Sequence, residues 1–91
     1  MANWWMPAAQ LRVMRRIKNG GVLLRNPTYN FYYWFGSEDP RPTVSAKALL
    51  NCGLIVPGAV HPKKIGDQVM RITPTGKNEL GYNSGRKIEG E

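Results

Sequence analysis

Little in this chain can perform redox or metal chemistry. It has one cysteine, Cys52, and one histidine, His61; no internal disulfide can form, and no set of metal ligands can assemble. Acidic residues are scarce too, six against thirteen Lys and Arg, and Glu38 and Asp39 are sequence neighbours rather than a pair facing each other across a cleft. General acid–base or nucleophilic catalysis needs a Ser or Cys beside His with an orienting acid, or two opposed carboxylates. "KNGG" at the end of a helix lacks the lysine and hydroxyl spacing of a phosphate-binding loop. The expectation is a protein that is not an enzyme and uses no cofactor. Long hydrophobic runs are also missing: "YNFYYWFG" falls well short of the roughly 20 residues of a membrane span. With no charged-then-apolar leader at the N-terminus, the expected setting is the cytoplasm, with no membrane partner.

What the chain does have is positive charge. Its 91 residues carry a formal net charge of +7, which implies a positive field and makes a polyanion, nucleic acid first, the natural partner. Apolar residues at 42% and charged residues at 21% suit a globular domain, and the length suits one domain over 1–82 with a loose, flexible polar tail over 83–91.

Along the chain, "PAAQLRVMRRIKNGG" places Leu11, Met14 and Ile17 at helical spacing with Arg12, Arg15, Arg16 and Lys18 mostly elsewhere, predicting an amphipathic helix that Gly20 or Gly21 ends. Trp4 and Trp5 are expected to fold back onto the domain. "VLLRNPTYNFYYWFG" reads as a β-hairpin turning at Asn26-Pro27. Its alternation puts Tyr29, Phe31, Tyr33 and Phe35 on one face and Tyr32 and Trp34 on the other, expected outer one. After the turn-rich "GSEDPRP", "TVSAKALLNCGLI" is a helix with Thr43 or Ser45 as cap. Its packed arc is Ala46, Ala48, Leu49, Leu50 and Cys52, and Lys47 and Asn51 lie opposite. Gly53 ends it and "LIV" opens a strand. "PGAVHPKKIGD" over 57–67 is expected to be a flexible basic loop with His61 solvated. "QVMRI" is the returning strand, and Thr73 caps a short closing helix with Pro74 in its first turn.

A helix with "LLNCGLI", a basic-tipped hairpin and "MRITPTGKNEL" together resemble the second half of a winged-helix domain of bacterial or phage regulator type, over about residues 43–80. The resemblance implies an α+β fold of three helices with a central β-hairpin and a wing hairpin. It makes 43–52 a recognition helix and 57–67 a wing. One departure stands out: a winged helix has another helix just before the recognition helix, and here an aromatic hairpin and a Pro-rich linker fill that place. Either a hairpin replaces the second helix, or the strand reading of 22–35 is wrong in part.

On this reading Thr43, Ser45, Lys47 and Asn51 reach base edges, since Lys can donate to guanine and Asn can pair with adenine. Lys63 and Lys64 on the wing and Arg41 before the helix meet phosphates, and Arg71 on the returning strand belongs to the same DNA-binding set. A single small module buries little DNA surface, so specific action calls for a homodimer, for which the aromatic N-terminus and the Tyr32–Trp34 face offer surfaces. Two other classes of function stay open. One is a protein-interaction module that binds and redirects a host protein. The other is a single-strand binder, with Tyr29 to Phe35 as stacking platforms and Arg25 beside them.

Overall fold

A computed structural model describes residues 6–87; the Trp4–Trp5 pair lies outside the described residues. The first helix, α1 (Ala8–Lys18), buries Leu11, Val13 and Met14, and its last turn carries Arg15, Arg16 and Lys18, where cations favour the helix dipole. Gly20, at φ +102°, supplies the left-handed turn that ends it. The hairpin follows as β1 (Leu23–Asn26) and β2 (Phe31–Trp34). The Asn26 side chain accepts from the Tyr29 amide at 3.0 Å, a local turn bond of the kind Asn favours. After α2 (Thr43–Asn51) come β3 (Ile55–His61), β4 (Lys64–Ile72) and α3 (Pro74–Tyr82).

The four strands form one antiparallel sheet in the order β2-β1-β4-β3. The fold of the described residues is thus α+β, three helices with a four-stranded antiparallel sheet. The strand reading of 22–35 holds, and the hairpin directly precedes the linker to α2.

One sheet face meets the helices. Leu23, Tyr32, Trp34, Ile55 and Met70 share a core with Leu11 and Met14 of α1, Ala46 and Leu49 of α2 and Leu80 of α3. Tyr32 and Trp34, expected on the outer face, are therefore core residues at 1% and 6% exposure, and they offer no surface to a second copy. The reason is volume: these largest side chains fill the deep space beneath α1 and α2, and Phe31, Tyr33 and Phe35 point to a thinner layer. That layer is made by the sheet itself. Leu24, across from Tyr33 and Val69, is fully buried yet outside the helix-side core. The outer half of the β3–β4 hairpin reaches this layer, where the His61 ring lies 4.3 Å from the Phe35 ring and the Tyr33 hydroxyl donates to the Asp67 carboxylate.

This arm also corrects the expected loop over 57–67. The chain is strand up to His61 and again from Lys64, with register shifts between Pro57 and Val60 and between Val60 and His61. A bulged edge strand tolerates the proline and glycine that read as loop. His61 is accordingly not a solvated loop residue; its Nδ1 accepts the Lys63 amide at 3.0 Å.

Two further corrections concern α2. Its N-cap is Pro42 with no side-chain cap bond, so neither Thr43 nor Ser45 caps it. The Thr43 hydroxyl instead accepts from the Tyr32 amide at 3.2 Å and donates to the Tyr32 carbonyl at 3.3 Å, tying the helix start to the outer edge of β2. Cys52, expected on the packed arc, is exposed: the helix stops at Asn51 and the chain swings outward toward Gly53 at φ +73°.

The "TPTG" junction folds as expected, with Thr73 Oγ1 accepting the Gly76 amide at 2.9 Å and Pro74 in the first turn. The same hydroxyl donates to the Gly53 carbonyl at 2.7 Å. Gly76 is required by a close approach, because a β-carbon there would stand 2.2 Å from the Leu54 carbonyl oxygen. Beyond α3, residues 83–87 are pinned rather than loose. Asn83 is fully buried, and Arg15 donates to the carbonyls of Asn83 at 3.0 Å and Arg86 at 2.5 Å. Arg86 in turn donates to the Asn83 side chain at 2.9 Å and to the Met6 carbonyl.

Candidate nucleic-acid interface

The helix α2 is held from behind. Ala46 and Leu49 enter the core, Leu50 packs against it and Thr43 is bonded to β2. Spacing of three and four residues then turns Val44, Lys47 and Asn51 into one stripe on the far side. Val44 is 84% exposed and Asn51 is exposed, whereas Lys47 is half-buried. Ser45, also half-buried, faces sideways into a groove that runs between α1 and the segment 39–45.

That groove has a volume of about 1260 Å³, and Arg12, Arg16, Trp34, Asp39, Arg41 and Ser45 are among its lining residues. Arg16 lies over the Trp34 ring, 4.4 Å from its centroid, and pairs with Asp39 at 2.7 Å. Arg16 holds the Asp39 carboxyl below its ordinary range chiefly through this hydrogen bond, with a further bond from Ser37. Arg41 is exposed and stacks on Phe31 at 4.2 Å. These two contacts set guanidiniums over aromatic rings, a cation–π arrangement that arginine makes more often than lysine.

Arg41 also borders a smaller hollow of about 360 Å³ with Phe31, Tyr33, Glu38, Lys64 and Asp67. The Tyr33 phenol there is pushed up to about 12, first by burial and then by its bond to Asp67 and the charge on that carboxylate. Arg41 is therefore shared between the groove beside α1 and the hollow under the hairpin arm. Lys63 and Lys64 are exposed at the hairpin tip, and Arg71 is exposed on β4.

Of the residues singled out by sequence, Arg41 and Ser45 come together in the groove, Lys47 and Asn51 share the outer stripe of α2, and Lys63 and Lys64 share the tip. Thr43 has its hydroxyl committed to Tyr32, which leaves it no ready role at a base edge. Arg25, considered as a partner for stacked bases, donates to Gln68, its cross-strand neighbour, at 3.3 Å. Sequence reasoning missed the groove. Arg12 and Arg16 are one turn apart, which the sequence does show, but the segment that forms the opposite wall is a proline-rich linker without periodicity, and nothing local brings it to α1.

No metal-holding cluster occurs among the described residues, and no helix of the described residues is long and apolar enough to cross a membrane. No protein-family model, curated protein or solved structure matches the chain.

Proposed function

We propose that the protein is a small winged-helix-like DNA-binding protein, a transcriptional regulator of bacterial or phage type, that lays the outer face of α2 against duplex DNA. The observation that carries this reading is the outer stripe of exposed Val44, half-buried Lys47 and exposed Asn51 on a helix braced from behind and flanked by Arg41. Each residue has a base-edge partner: Lys donates to guanine O6 and N7, Asn pairs with adenine, and an apolar methyl meets the thymine methyl. Here the β1–β2 hairpin stands in for the helix that usually precedes a recognition helix, since the Thr43–Tyr32 bonds hold the start of α2. Lys63 and Lys64 at the hairpin tip then contact phosphates, and the net charge of +7 supplies attraction over longer range.

A second reading, a docking module for another protein, is favoured by exposed apolar side chains, with Ile65 at 95% and Val60 at 53% exposure. Fluorescence anisotropy of labelled duplex and single-stranded DNA at two salt concentrations separates the two. Duplex preference with a steep salt dependence is the expected result, and replacing both Lys63 and Lys64 by Ala should lower the logarithmic salt slope by about 2. Absence of binding to either DNA at low salt overturns the DNA reading in favour of the protein partner.

A further inference from the structure

We infer that the groove between α1 and residues 39–45 is a track for the phosphate backbone of the bound DNA strand, and that Asp39 is a built-in competitor for it. The inference rests on the DNA-binding reading above and adds a contact surface and a brake to it. Four arginines, Arg12, Arg15, Arg16 and Arg41, line the groove, Arg15 also donating to the Asn83 and Arg86 carbonyls, and Asp39 is the one carboxylate among the lining residues. Arginine forks match phosphate oxygens with paired, parallel bonds. The groove opens to solvent, and it shares the 41–45 segment with the start of α2. A strand crossing α2 at its base edges would therefore leave its flanking phosphates here.

Asp39 already occupies the place a phosphate would take. Its carboxylate sits 2.7 Å from the Arg16 guanidinium, itself stacked on Trp34. A phosphate reaching Arg16 must displace it, and the local charge stays lower until it does. Its neighbour Glu38 borders the hollow under the hairpin arm and does not line the groove. It is thus a matched control: one residue away, with the same change in charge on neutralisation.

The test is anisotropy of full-length protein with a labelled duplex of mixed sequence across a salt series, with circular-dichroism melts to show that each variant folds. Asp39→Asn should tighten binding several-fold and steepen the salt slope by about 1, and Glu38→Gln should produce a clearly smaller change. Arg12→Gln with Arg41→Gln should weaken binding at least tenfold and flatten the slope by about 2. If the wild-type protein binds duplex but the arginine pair can be removed without changing the slope, the track is wrong and the DNA reading survives. Equal effects of Asp39→Asn and Glu38→Gln remove the competitor role. If the wild-type protein does not bind duplex, the reading beneath the proposal fails and the track fails with it. Poly-glutamate that binds as tightly as duplex, and loses binding in the arginine variant, overturns phosphate in favour of an acidic polypeptide.

Discussion

The two faces of the sheet are covered in different ways. The helix-side face meets three helices through aliphatic and methionine side chains, with Tyr32 and Trp34 as its largest groups. The other face is covered by an arm of the same sheet, through a ring contact between Phe35 and His61 and a phenol–carboxylate bond between Tyr33 and Asp67. The first is a core that persists because burial of apolar area is non-directional and large. The second is thin and depends on particular polar and aromatic partners. The hairpin thus joins this face through His61 and Asp67, and its basic tip, Val60, Ile65 and Arg71 stay exposed.

Substitutions sharpen this contrast. Leu49→Ala in the helix-side core should cost about 3–4 kcal/mol, measured by urea denaturation. Gly76→Ala, which drives a β-carbon against the Leu54 carbonyl, should cost about 3 kcal/mol, at the top of the range for overpacking. On the arm side, Leu24→Ala should cost about 2 kcal/mol, because a thin cover can settle into the space left behind. A loss equal to that of Leu49→Ala would make the two faces equivalent and erase the distinction. Thr43→Val, which leaves the Tyr32 amide and carbonyl without their partner, should cost about 1–2 kcal/mol.

The smallest effect is a pH dependence confined to the arm. The Tyr33 phenol is raised from 10.0 to about 12 in the folded protein, so the folded state holds its proton longer than the unfolded chain does. Its stabilising contribution is complete below pH 10 and is lost as pH rises through about 12. Ultraviolet titration should show a late component near pH 12 that is absent in Tyr33→Phe.

Much of the helix-side face was legible in the sequence. The spacing of Leu11, Met14 and Ile17, the glycines that end α1 and α2, and the "TPTG" cap and turn all report local geometry, which a single sequence carries well. The hairpin β1–β2 was legible for the same reason. Which of its faces is the core was not, because both faces are aromatic and alternation is silent about what packs above. The arm was not legible, because Pro57, Gly58 and Gly66 look like loop residues, whereas strands with register shifts can hold them. The groove beside α1 depends on where a non-periodic linker lands, which only the assembled fold determines.

The two Thr43 bonds to Tyr32 have one more consequence. Strand β2 is a border of the sheet, and a border with open amides and carbonyls invites a strand from another molecule, the first step toward fibres. Thr43 occupies the Tyr32 groups and the Ser37 amide donates to the Trp34 carbonyl at 3.4 Å. At the opposite border, Pro57 and two register shifts interrupt β3. A four-stranded sheet guarded at both margins gives a neighbouring chain little template on which to grow, and one threonine at the start of a helix supplies much of that protection.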